Sequence, residues 1–219
     1  MAHRILALAS GNKHKLEEFG EILSPLGWDV QSIRRWLPDL PEPEETEPDL
    51  PGNARLKLTF SVRRLRASIA PDLPEAVAAD DSGLVVPLLD GAPGVFSARF
   101  AEMAGRGSGD QANRAELSRR LALAGVPKSG TTPAAFACAI AFLDLRDGRA
   151  LDAFAECQGR AGRLERGSSG FGYDPLFFPL LPGRIPSERT FAQMPASEKH
   201  ALSHRGKALA DLASVLGAG

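Results

Sequence analysis

The chain has 219 residues, enough for one large domain or two smaller lobes with a buried core. It is 43% hydrophobic and 24% charged, as an ordinary folded protein is, and its net charge of -1 argues against gripping nucleic acid by bulk electrostatics. No apolar run approaches the roughly 20 residues that span a bilayer, and two cysteines give neither a disulfide framework nor a zinc spacing. The opening segment from Met1 to Ala9 becomes polar too soon for a signal peptide, and reads as the first strand of a cytoplasmic protein.

Residues 5–9 form an apolar strand, Ser10-Gly11-Asn12 a polar turn, and residues 13–26 a helix with Leu16, Phe19, Leu23 and Leu26 at helical spacing. Strand, glycine turn and helix start together make an anion site, with Lys15 one turn in. Residues 38–51 mix prolines with Glu42, Glu44, Glu45, Glu47 and Asp49, which predicts a loop able to lend a carboxylate to a metal. A helix then runs from Gly52-Asn53 to about Ser68, with Asn53 as its cap, Leu58, Val62, Leu65 and Ile69 as its stripe, and Lys57 in its first turns.

The centre is Ala79-Asp80-Asp81-Ser82-Gly83, entered and left through apolar residues. This predicts a strand, a sharp turn bearing two carboxylates, and a second strand. Adjacent carboxylates are most readily kept where a cation such as magnesium neutralises them, although Asp80-Asp81 taken alone reads as an acidic surface turn. A glycine-rich loop over residues 105–109 precedes a helix opened by Asp110 and carrying Leu117, Leu121 and Leu123. Residues 127–133 read as a loop. Residues 134–145 and 149–158 read as strands joined by a two-residue turn at Asp147-Gly148. Opposed residues would then carry numbers summing to 295, which sets Cys138 against Cys157 as two buried thiols unless a bulge shifts the register. Gly170-Phe171-Gly172-Tyr173-Asp174-Pro175 offers close backbone approach, rings for stacking and an acceptor. One last helix over residues 197–216 opens with Lys199, His200, Ser203, His204 and Arg205. These cations near a helix start favour a bound anion.

In their order, Ser10 to Lys15, Glu44-Glu45-Thr46, Asn53-Ala54 with Lys57, Ala79 to Gly83 with Gly91 to Arg99, Gly170 to Pro175, and Glu198-Lys199 with Ser203-His204-Arg205 resemble the inosine triphosphate pyrophosphatase family. The resemblance spans nearly the whole chain, residues 1–219 as a single pyrophosphatase domain. It implies an α/β fold with a long twisted mixed sheet, helices on both sides, and two lobes around a central cleft. It implies magnesium-dependent hydrolysis of ITP, dITP and XTP to monophosphate and pyrophosphate by a cytoplasmic homodimer that binds neither nucleic acid nor membrane. By the matching positions, Asp81 looks like the catalytic base and, with Glu45, a magnesium ligand, with Glu44, Glu47 or Asp80 as alternatives for a further one. Ser10, Gly11, Asn12, Lys15, Lys57 and Ser82 look like phosphate and sugar contacts. Phe171, Gly172, Tyr173, Asp174, Lys199, His204 and Arg205 look like the base pocket. Donors from His204, Arg205 and the Phe171 loop amides would select the 6-oxygen of hypoxanthine or xanthine over the amino group of adenine. A pyrophosphatase for modified pyrimidine nucleotides and a non-catalytic nucleotide binder remain the alternatives.

Overall fold

Apolar runs that carry no helical period become strands, and the sheet they build is mixed, as expected. The computed structural model describes residues 4–217; the first three residues of the N-terminal reading lie outside that range. The strands are β1 (Arg4–Leu8), β2 (Trp28–Ser32), β3 (Ala76–Val85), β4 (Thr131–Asp144), β5 (Ala150–Gly162), β6 (Phe177–Leu181) and β7 (Ile185–Pro186). The helices are α1 (Lys13–Leu23), α2 (Leu50–Arg66), α3 (Phe100–Met103), α4 (Asp110–Leu123), α5 (Ala196–Leu202) and α6 (His204–Gly217). Strand order is β2-β1-β3-β4-β5-β6-β7. β1 pairs in parallel with β2 and β3, while β6 is antiparallel to β5 and β7.

Two compact units divide the chain: Met1–Asp81, Cys138–Ala155 and Arg205–Gly219 form one, Ser82–Ala137 and Glu156–His204 the other. In the first, β1 and β3 are buried on both faces, as parallel strands under two layers are. Leu6, Leu8, Ala76 and Ala78 join Phe19, Trp28, Phe142 and Leu209 in one core. Ala7 and Val77, pointing the other way, join Ile33, Trp36, Val62 and Leu65 in another. The second unit packs Leu84, Leu117, Leu121, Phe136, Phe177 and Phe191 into its own core.

Several elements depart from the pattern reading. α1 stops at Leu23, because Pro25 turns the chain into a 3-10 turn over Ser24–Leu26 and Gly27 follows at φ 81°. β2 has no clear periodicity in Trp-Asp-Val-Gln-Ser and was not expected. α2 begins at Leu50, with Asp49 as its cap accepting from the Gly52 N–H at 2.7 Å. Pro51 is tolerated there because first-turn N–H groups have no helical partner. Asn53 lies inside the helix rather than at its start. Leu123 and Ile69, expected in apolar stripes, are exposed.

The expected turn at Asp80-Asp81 is absent: β3 runs straight through it. The expected two-residue hairpin is also wider. Asp144 and Asp147 each accept from the N–H two residues on, and the Asp144 N–H donates to the Arg149 carbonyl at 2.9 Å. The ladder therefore opens on opposed residues whose numbers, like 144 and 149, sum to 293 rather than 295. Cys138 and Cys157 are buried thiols in different cores. The last helix is two, broken at Ser203, whose ψ of 156° is extended, so His200 and His204 do not share a helical face.

Candidate active site

The first unit gathers its polar side chains around β3. Successive residues of a strand point to opposite faces, so the adjacent carboxylates meet different partners. Asp80 receives Lys15 from α1 at 2.9 Å and Arg205 Nε from α6 at 3.1 Å. Arg205 Nη1 also reaches Glu18 at 2.6 Å. All three side chains in that Arg205 group are buried. Burial alone would raise the Asp80 carboxyl, but Lys15 and Arg205 outweigh it and hold Asp80 far below the ordinary carboxylate range. The Arg205 guanidinium resists burial through Asp80 and is held charged.

Asp81 faces α2. Lys57 Nζ lies 2.6 Å from Asp81 Oδ1 and also pairs with Glu45. Burial raises the Asp81 carboxyl, Lys57 offsets this only in part, and Glu45 adds repulsion. Burial opposes the Lys57 ammonium, but Asp81 and Glu45 prevail and its pKa is raised. Asp81 Oδ2 is buried and accepts no hydrogen bond. Glu45 comes from the acidic loop, which Asn53 ties down: its Oδ1 accepts from the Glu47 N–H at 3.1 Å and its Nδ2 donates to the Glu47 carbonyl at 3.3 Å. Asn53 is thus a loop clamp, not a cap.

In the Ser10-Gly11-Asn12 turn, Asn12 caps α1 by accepting from His14 and Lys15 N–H groups, while Ser10 Oγ accepts from the Asn12 N–H. Arg34, which sequence reasoning passed over, lies against this turn. A Cβ on Gly11 would stand 3.0 Å from Arg34 Nε. Ser32 positions it, donating to the Ser10 carbonyl and accepting from the Arg34 N–H. Nothing in an Arg-Arg pair after an unrecognised strand would have flagged it.

The second unit opens at Ser82, next on β3, and holds the aromatic loop. Asp174 is buried and accepts from the Phe171 N–H at 2.9 Å and from Lys199 Nζ at 2.8 Å. Lys199 also lies 4.5 Å from the centre of the Phe171 ring. Gly170 sits at φ +78°, and a Cβ there would strike Asp174 Oδ2 at 2.2 Å, so only glycine allows this loop to close on its carboxylate. The Gly172 N–H donates to Asp110 at 2.6 Å, and Tyr173 donates its hydroxyl to the Ser97 carbonyl at 2.8 Å. In the loop whose amides were expected to read a base, the Phe171 and Gly172 N–H groups are thus engaged internally. The His204 ring stacks on Phe136, with centroids 4.7 Å apart. Arg205, expected beside His204, instead belongs to the Asp80 group of the first unit.

The model of the Ham1 family matches residues 6–215. The chain belongs to the Ham1 family. A dITP/XTP pyrophosphatase of Desulforamulus reducens is 40% identical over 96% of this Ham1 chain and 94% of its own length. One from Geobacter sulfurreducens is 41% identical over 97% and 96%. Among solved structures, a HAM1 protein from Coxiella burnetii superposes with a TM-score of 0.78 at 32% identity, covering 99% of this chain and all of its own. A nucleoside-triphosphatase / dITP/XTP pyrophosphatase from Mycobacterium abscessus gives 0.66 at 35% identity, covering 97% and 99%.

No group of three or more His, Cys, Asp or Glu side chains among the described residues of this Ham1 protein could hold a metal. Glu45 and Asp81 are a pair, both oxygen donors, and Asp81 has a buried lone oxygen. That set suits magnesium, which is commonly held by one or two carboxylates and completed by water and substrate phosphates. No helix among the described residues is long and apolar enough to cross a membrane.

Proposed function

We propose that the chain hydrolyses the non-standard purine nucleoside triphosphates dITP, XTP and ITP to the monophosphate and pyrophosphate, clearing them before incorporation into DNA or RNA. The observation that carries this reading is the Glu45–Lys57–Asp81 group, in which half-buried Lys57 and Glu45 meet the buried Asp81. It occurs in a chain about 40% identical, over nearly its whole length, to dITP/XTP pyrophosphatases.

Lys15 and Lys57, with the capped turn at Ser10, Gly11 and Asn12, bind the phosphate chain, and Ser82 adds a hydroxyl. The cations lessen the repulsion that a polyphosphate presents to a nucleophile. Asp81 is the base. Its Oδ2 has no hydrogen-bond partner, and burial has raised its proton affinity. It takes a proton from water as the water oxygen bonds to the α-phosphorus and the bond to the bridging oxygen breaks, releasing pyrophosphate. Glu45 and Asp81 would hold magnesium, which when bound supplies charge neutralisation to the phosphates. The purine falls to the second unit's group, with the Phe171 ring as its stacking face and Lys199 and His204 as donors to the 6-oxygen. Asp174 fixes Lys199 and the Phe171 loop. Arg205 holds Asp80 in place. The reading carries with it a homodimer in the cytoplasm, where the buried Cys138 and Cys157 thiols persist in a reducing medium.

The test is a panel of dITP, XTP, ITP, GTP, ATP and modified pyrimidine triphosphates, with pyrophosphate and phosphate release assayed separately, with and without magnesium. Pyrophosphate from the first three, at least about a hundredfold faster than from ATP, is the expected outcome. Equal turnover of ATP and ITP, or turnover indifferent to chelation, defeats the reading.

A further inference from the structure

The second unit holds a cavity of about 500 Å³ whose wall carries Lys128, Arg160, Arg163 and Arg166, with Glu188 as its one acid. None of these residues belongs to the substrate group proposed above. What holds the guanidinium groups is neutral. Arg160 donates from Nε to Thr131 Oγ1 at 2.6 Å and from Nη2 to the Thr131 carbonyl at 2.8 Å. Arg163 donates from Nη1 to the Val126 carbonyl at 2.8 Å. Arg166 lies over the Phe178 ring at 5.4 Å. Several arginines elsewhere meet carboxylates: Arg119 and Arg120 meet Glu116, Arg146 meets Asp144, and Arg205 meets Asp80 and Glu18. Here no ion pair engages any of the four cations among the described residues. Arg163 Nε is, in addition, buried without a hydrogen-bond partner.

Four cations around one acid, in a chain of net charge -1, repel one another. Anchoring the three arginines through carbonyls, a hydroxyl and a ring fixes their direction while leaving their charge uncompensated. Guanidinium forks so arranged match phosphate oxygens two at a time. The volume exceeds what a single phosphate fills and lies in the range of small-ligand sites. We propose that this cavity is a second anion site, taking a condensed phosphate: either free pyrophosphate or the phosphate chain of a nucleotide. It stands whether or not the proposed activity does.

The experiment is calorimetric titration of the full chain with pyrophosphate, and separately with a non-hydrolysable nucleoside triphosphate. Wild type is compared with an Arg163→Gln/Arg166→Gln variant. Loss of about tenfold in affinity per guanidinium is expected in one binding component, with turnover of dITP within about twofold of wild type. Arg163→Lys/Arg166→Lys, which keeps charge but loses the forks, should fall between. Loss for pyrophosphate alone assigns the free anion, and loss for the triphosphate assigns the nucleotide. If the double variant melts early, Lys128→Gln on an exposed side chain gives the same readout with a several-fold loss. Isotherms for both ligands unchanged by all of these variants overturn the proposal.

Discussion

Asp80 and Asp81 are neighbours in sequence and opposites in role. The pleat of β3 sends one to a buried arginine and the other to a lysine it shares with Glu45. Their pKa directions follow, lowered for Asp80 and raised for Asp81. Removing each charge should therefore act in opposite senses. Asp80→Asn leaves Arg205 buried with one partner fewer and should cost about 3–5 kcal/mol, read as a lower melting temperature. Asp81→Asn removes a carboxylate that burial already disfavours. Its melting temperature should stay level or rise, while kcat for dITP falls by about 10²–10⁴. A matching loss of stability in both variants would contradict the division of labour. Arg34 belongs at this scale too. Arg34→Ala should raise KM several-fold with kcat nearly unchanged, because the side chain lies beside the phosphate turn and touches neither Asp81 nor Lys57.

At the scale of elements, strongly periodic segments were legible and chemistry-driven ones were not. Residues 13–23 carry their apolar stripe openly, and residues 110–123 keep Leu117 and Leu121 of theirs while Leu123 is exposed; both are helices. The Asp-Asp stretch reads as a turn because carboxylates are rare inside strands. It is a strand because Lys15, Arg205 and Lys57 wait on its two faces, and these lie up to 125 residues away in the chain. The same limit hid the break at Ser203 and the engagement of the Phe171 and Gly172 amides: both depend on contacts that spacing does not encode. The candidate residues Glu45, Lys57 and Asp81 were found by motif, but what fixes Glu45 was misread, since Asn53 looked like a cap. Asn53→Ala deletes both hydrogen bonds to the backbone of Glu47, an exposed residue. The stability cost should be only about 1 kcal/mol. The magnesium concentration needed for half-maximal activity should rise several-fold, because the loop that carries Glu45 is released. A magnesium dependence identical to wild type would separate Asn53 from the site.

Across the whole molecule, buried carboxylates held by arginines set the response to acid. Glu116 is the plainest case. Arg119 and Arg120 donate to its two oxygens at 2.7 and 2.8 Å, and the carboxyl is lowered to about 2, chiefly through the Arg119 hydrogen bond. A lowered folded pKa means that the unfolded chain binds the proton more readily. The stability it contributes is therefore complete above the unfolded value near 4.5 and is lost as pH falls towards 2. Asp80 and Asp144 shift in the same direction and add to the slope. The arginines around Glu116 are partly exposed, so solvent screens the pair and about 2 kcal/mol is a fair magnitude. Glu116→Gln should lose that amount at pH 7, lose progressively less below pH 4.5, and match wild type near pH 2. Urea unfolding midpoints measured at intervals across this range would read the convergence directly. Parallel curves for the two proteins would mean that Glu116 acts through packing rather than charge.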